Sequence, residues 1–362
     1  MIPMVDLRGQ YKTLQKEIEA GFQQTIENTS FILGPNVHEF EKEAADYLGI
    51  KHALSCASGT DALHLGLLAA GIKAGDEVIT TSFTFIATAE AICYIGAVPI
   101  FVDVDPKTYN LDANLIEQAI TDKTKAILPV HLFGQPADMT AIQSIADKHK
   151  LLVIEDCAQS FGADINGKMT GGIGEVGCHS FFPSKNLGCY GDGGMVTTNN
   201  DDIAEQVRIL RNHGSNIRYH HDVIGYNSRL DELQAVVLRA KIKHIAKYNQ
   251  QRRHVAHLYS ELLKDIVTPP FEDGTGTHVY HQYTLLTDKR EAIMEKLNAA
   301  QIGCAIYYPI PLHLQKAFAD TCQNVSLPVT EDIIRHCMSL PIYPELTNEQ
   351  VEHIVDVIKS AV

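Results

Sequence analysis

The sequence predicts an α/β protein built on a mainly parallel sheet. Short apolar runs alternate with helical patterns from about residue 50 to residue 200, which is the pattern of βαβ units with both sheet faces covered. After residue 200 a long helical stretch leads into a second, shorter α/β pattern. The 362 residues leave room for a substantial core and suit two domains or one with an appendage.

The elements follow in order. "HALSC" (52–56) reads as a strand and "DALHLGLLAAG" (61–71) as a helix stopped by glycine. Strands are expected at 76–80, 98–104, 125–130 and 151–156, with helices at 86–96 and 139–150 between them. "CHSFF" (178–182) is a further strand, and 201–214 a helix with an Asp start and a Gly stop. Residues 231–266 are helical throughout, with a break expected near Lys247, and 268–278 are a loop of Pro, Gly and Thr. A strand at 279–287, a helix at 290–303, a strand at 304–308 and a helix from about Thr347 complete the chain. The expected division is a large domain at 1–245, whose N-terminal segment can pack with the small one, and a small domain at 246–362 that includes the connecting helix.

Composition excludes several function classes. A formal net charge of −14 argues against a nucleic-acid binder, which needs clustered Lys and Arg. The N-terminal residues lack a signal-peptide core, and the most apolar windows are too short and too interrupted to span a bilayer. Eight cysteines without a C-x-x-C pair point to a reducing, cytoplasmic compartment, no disulfide framework and no zinc site. Adjacent histidines 220 and 221, with His213, lack the carboxylate pattern of a metal centre. Gly172-x-Gly174-x-x-Gly177 spells a dinucleotide fingerprint but follows a polar loop and leads into a strand, the reverse of what that motif needs.

In open parallel sheets ligands collect beyond the carboxyl ends of the strands. There, "SCASGTDAL" puts Gly59 and Thr60 at a helix N-terminus, a ready anion site whose plain alternative is an N-cap by Ser58 or Thr60. Phe83 and Phe85 are aromatic rings that could stack on a planar ligand. Asp156 ends an apolar strand, where an acid is costly unless paired; it suits a cationic ring nitrogen or, alternatively, backbone N–H groups. Gln159 is three residues on. Lys185 is the only formal charge between Val176 and Gly191, and an apolar setting disfavours the ammonium and frees a nucleophilic amine. Phosphate cradle, ring platform, acid and isolated lysine together match what pyridoxal 5′-phosphate requires.

The motifs "GTDAL", "SFTFIATAEAI", "FVDVDPKTYNLD", "PVHLFGQPADM", "IEDCAQSFGA", "SFFPSKNLG", "GDGGMVTTN" and "GYNSRLDELQAV" resemble the DegT/DnrJ/StrS family of sugar aminotransferases, and the likeness runs nearly the whole chain. It implies the fold-type-I, aspartate-aminotransferase-like architecture and a homodimer with shared active sites. Lys185 would hold the cofactor as a Schiff base and Asp156 would pair with its ring nitrogen. Gln159 would meet the ring hydroxyl, and Gly59, Thr60 and Ser180 the phosphate, with Asn227 reaching in from the partner subunit. Phe85 would stack on the ring. "SFFPSKNLGCYGDGG", "RYHHDVIGYNSRLD" and "YYPIPLHLQ" look most like enzymes that aminate C3 of UDP-2-acetamido-2-deoxy-3-oxo-glucuronate for surface polysaccharide, with L-glutamate as donor. Arg229, Tyr308 and His313 are then the substrate-binding candidates. Arg229 suits a sugar carboxylate bidentately, or else an ion pair with Asp231. Relatives often carry His where this chain has Tyr307. The alternatives are a 3- or 4-aminotransferase of a dTDP- or UDP-keto-6-deoxyhexose, and a non-enzymatic regulator that binds the cofactor or a nucleotide sugar.

Overall fold

A computed structural model describes all 362 residues. Two helices, α1 (Leu7–Asn28) and α2 (Pro35–Leu48), precede the sheet. Then follow β1 (His52–Cys56), α3 (Gly59–Ala69), β2 (Glu77–Thr81), α4 (Ala87–Tyr94), β3 (Val98–Val102), β4 (Thr124–Leu128), α5 (Met139–His149) and β5 (Leu152–Asp156). A small hairpin, β6 (Asp164–Ile165) and β7 (Lys168–Met169), leads to β8 (Val176–Ser180), β9 (Gly194–Thr198) and α6 (Asp201–Leu210). The chain ends with α7 (Glu232–Ile242), α8 (Ile245–Leu263), β10 (Tyr283–Leu286), α9 (Arg290–Ala299), α10 (Pro328–His336), β11 (Cys337–Leu340) and α11 (Asn348–Lys359).

The seven-stranded sheet runs β1-β9-β8-β5-β4-β2-β3. The pairs from β8 through β3 are parallel, and β9 is antiparallel to both its neighbours. Six strands therefore open their carboxyl ends onto one edge, where the helix N-termini also gather. Sequence periodicity places these strands correctly and misses β9, because a short antiparallel insert carries no crossover helix to announce it.

Two packed centres flank that edge. Leu54, Leu63, Val78, Ile154, Val176 and Val196 lie at the heart of one. Tyr259, Tyr283, Leu340 and Ile354 lie in the other, joined by Ile2 from the N-terminus, which pairs with Ile302. Each such apolar side chain contributes about 1.5–3 kcal/mol on burial. Helix α8 joins the two, with Ile245 packed in a cluster against the large sheet and Val255 and Leu263 in the second centre.

The long helix breaks at Lys243 and His244, near Lys247 as expected. Two expectations need correction. The strand expected at 279–287 shortens to β10, which pairs antiparallel with β11. Residues 304–308 form no strand: only Ala305 bridges to Ser339, and the following tyrosines turn toward the sheet edge.

Candidate active site

A cavity of about 660 Å³ opens at the carboxyl edge of the sheet. Its floor begins with the turn from β1 into α3. The Ser58 side chain accepts from the Asp61 N–H, so the N-cap expected as the plain alternative is present. Gly59 and Thr60, the first two residues of α3, have no acceptor one turn back, and their N–H groups sit at the positive end of the helix dipole. A Cβ on Gly59 would lie 2.5 Å from Ser180 Cβ. Both residues line the cavity, and only glycine lets α3 and the end of β8 approach so closely. Gly194 on β9 is equally constrained, since a Cβ there would strike the Ser58 carbonyl oxygen. A small donor-lined cradle of this kind suits a phosphate.

Asp156 ends β5 and is buried. Its Oδ1 accepts from the Ala158 N–H at 3.1 Å and its Oδ2 from the Thr88 hydroxyl at 2.7 Å. Burial raises its pKa above the ordinary aspartate value, opposed first by the Thr88 bond. Gln159 lines the cavity with its oxygen accepting from the Phe133 N–H (2.7 Å) and its nitrogen donating to the Tyr308 hydroxyl (3.0 Å). The amide is therefore held in one orientation.

Lys185 lies on the loop between β8 and β9 and lines the same cavity. Desolvation lowers its pKa to about 8, with Asp156 pulling the other way. A substantial neutral fraction near physiological pH makes this amine a usable nucleophile and proton carrier. Its neighbour Asn186 anchors the loop by donating to Asn249 Oδ1 (2.8 Å) on α8 and to the Val279 carbonyl (2.9 Å).

Phe85 is 55% exposed and faces the cavity, with Tyr308 6.3 Å away between ring centroids. Phe83 does not reach it: the ring is fully buried against Tyr109 and Phe133. His281 and Gln282, beside the second packed centre, and Tyr307 and Tyr308, packed on the cluster of Phe83, Tyr109 and Phe133, complete the lining. His281 and Gln282 were hidden inside a predicted strand that begins only at Tyr283. Thr84, between the two phenylalanines at the end of β2, and Thr88, on α4, also line the cavity.

The structure thus brings together Gly59, Thr60, Phe85, Asp156, Gln159, Ser180, Lys185 and Tyr308. It leaves three candidates outside. His313 is buried with Nδ1 2.7 Å from the Ser82 hydroxyl and Nε2 3.3 Å from Glu331, so it fastens two segments and lines no part of the cavity. Arg229 contacts Asn212 at 3.3 Å and makes no ion pair with Asp231, while its Nε is buried without a partner. Asn227 is exposed beside the bridge to Asn212. Histidines 213, 220 and 221 form no ligand-spaced cluster.

The misplaced dinucleotide motif has a different use. Buried Glu155 accepts the N–H groups of Gly171, Ile173 and Gly174 and pairs with His131 Nε2 at 3.0 Å. His131 Nδ1 accepts from the Ala137 N–H, which puts the ring proton on Nε2. The glycine loop wraps a protein carboxylate: both Glu155 oxygens and both His131 ring nitrogens are engaged in hydrogen bonds within the protein, and Cys157 places its sulfur within 4.8 Å of them.

Residues 12–359 match the model of the DegT/DnrJ/EryC1/StrS aminotransferase family. The chain is 52% identical to a UDP-N-acetyl-3-dehydro-α-D-glucosamine 3-aminotransferase of Acidithiobacillus ferrooxidans, over 99% of this chain and 97% of that protein. It is 46% identical to a UDP-2-acetamido-2-deoxy-3-oxo-D-glucuronate aminotransferase of Pseudomonas aeruginosa, over 98% of each. The solved structure of NtdA from Bacillus subtilis with bound cofactor PMP superposes with a TM-score of 0.91 at 33% identity, covering 96% of this chain and 82% of that one.

Proposed function

This chain belongs to the DegT/DnrJ/EryC1/StrS aminotransferase family, and we propose that it aminates C3 of a UDP-linked 2-acetamido-3-oxo sugar with L-glutamate as donor, in surface polysaccharide biosynthesis. It is a pyridoxal-phosphate-dependent sugar aminotransferase of the fold-type-I architecture. When bound, the cofactor supplies an electron-accepting ring for the carbanion left by loss of a Cα proton.

The chain's own groups divide the work. Gly59, Thr60 and Ser180 hold the phosphate, and Phe85 covers the ring. Gln159 donates or accepts at the ring hydroxyl, while the Asp156 carboxylate holds the ring nitrogen in its protonated form. Lys185 would hold the cofactor as a Schiff base at rest, and its freed amine would accept the proton lost from the amino-acid Cα and hand it back two atoms away, across the imine nitrogen. The low pKa of its amine supports that shuttle. Tyr308, pinned by Gln159, closes the sugar side.

The working unit is a homodimer in the cytoplasm, with eight free cysteines suited to a reducing compartment. Asn227 of the partner subunit completes the phosphate site. Supporting this, Asn227 lies outside its own cavity in a stretch with Ile217, Tyr219 and Ile224 67%, 80% and 91% exposed.

For the sugar, glucuronate with Arg229 of the partner subunit on its carboxylate is the first reading, supported by the Pseudomonas relative. Glucosamine is the second, favoured by the 52% relative and by a cavity whose one Lys or Arg side chain is Lys185. The reconstituted enzyme, glutamate and each UDP-3-oxo sugar, followed by mass and NMR of the product, decide between them. On glucuronate, Arg229→Ala lowers kcat/KM about tenfold or more and leaves glucosamine turnover unaffected. Turnover of dTDP-keto-6-deoxy sugars alone overturns both readings.

A further inference from the structure

Asp156 is gripped by a short chain of hydroxyls that enters from α4. Thr88 lies in the first turn of that helix, and its hydroxyl reaches Asp156 Oδ2 at 2.7 Å. The Thr84 hydroxyl lies 3.0 Å from that of Thr88. Because the Thr88 proton is committed to the carboxylate, its oxygen accepts from Thr84, and the chain runs Thr84 to Thr88 to Asp156. All three side chains are buried. A helical threonine usually turns its hydroxyl back onto its own helix; this one spends it on a strand 68 residues away in sequence.

We infer that Thr88, oriented by Thr84, is a positioning residue that keeps the negative charge on Asp156 and so keeps the proton on the ring nitrogen of the bound cofactor. The inference rests on the reading that Asp156 pairs with that nitrogen. A carboxylate and a pyridine compete for one proton, and each donor to the carboxylate lowers its share. The Ala158 N–H and Lys185 of the β8–β9 loop also favour the charged carboxylate, while burial opposes it. The Thr88 bond is the strongest counterweight to burial. Without it the proton moves onto Asp156, and the ring becomes a weaker electron acceptor.

The test loads the enzyme with pyridoxal phosphate labelled with ¹⁵N in the ring and reads the nitrogen shift, cofactor content and kcat. Wild type shows a protonated nitrogen. Thr88→Val moves the shift toward neutral pyridine and lowers kcat about tenfold with cofactor content retained. Thr88→Ser restores the wild-type shift, and Thr84→Val moves it part of the way. If Thr88→Val keeps the wild-type shift while Asp156→Asn gives neutral pyridine, the inference falls and the role of Asp156 stands. If Asp156→Asn keeps a protonated nitrogen, both fall.

Discussion

Replacing Lys185 with methionine should stabilise the cofactor-free protein. Methionine keeps the length of the side chain and removes the amine that burial penalises. The lysine pKa falls from 10.5 to about 8 on folding, a difference of about 3 kcal/mol at about 1.4 kcal/mol per unit. That figure already nets the attraction of Asp156 against the burial cost. Below pH 8 both folded and unfolded chains carry the proton, and the folded chain bears the full penalty. Between about pH 8 and 10.5 the unfolded chain binds more protons than the folded one, so wild-type stability rises with pH. The gap in favour of Lys185→Met is therefore full at pH 7 and closes as pH approaches 10.5. Urea unfolding of both stripped proteins across this range measures it. Lys241, fully buried and likewise lowered to about 8, is common to both and cancels in the difference. Equal stabilities at pH 7, or a gap that does not narrow with pH, would refute the claim that Lys185 is held at an energetic cost for its chemistry.

Gly59→Ala should raise the dissociation constant for pyridoxal phosphate about tenfold or more, because the new Cβ must displace Ser180 at a cost of about 1–3 kcal/mol; cofactor titration by absorbance checks it. Glu155→Ala strands three backbone N–H groups and His131, so it should cost about 3–5 kcal/mol in unfolding free energy, with near-wild-type stability excluding that role. His313→Ala should lower stability by about 1–3 kcal/mol through Ser82 and Glu331 and leave the KM for sugar unchanged; a raised KM with unchanged stability would place the imidazole on the substrate instead.

The parallel sheet and most of the cavity were legible because a simple rule connects them. Residues just past β1, β5 and β8 converge since those strands point the same way, and Gly59, Asp156 and Lys185 follow from that geometry. Phe83 and Phe85 show where the rule stops: two residues apart at one strand end, they differ by which side of the chain meets the core, and only Phe85 emerges. His313 looked like a substrate ligand from its neighbours, yet its partner Ser82 is 231 residues away, beyond the reach of any local pattern. Residues 304–308 have the apolar character of a strand, but after the single bridge from Ala305 to Ser339 the segment leaves β11 and delivers Tyr307 and Tyr308 to the cavity. Arg229 and Asn227 lie outside the cavity of their own chain, a placement that their local sequence does not signal.

The central claim is that Lys185 is the residue on which pyridoxal phosphate is carried. Incubating the protein with the cofactor, reducing with borohydride and mapping the peptides by mass reads this directly. The account predicts one cofactor added per chain, on the peptide containing Lys185, and none in Lys185→Met. An adduct on another lysine with Lys185 unmodified, or no adduct in a folded protein, would contradict it.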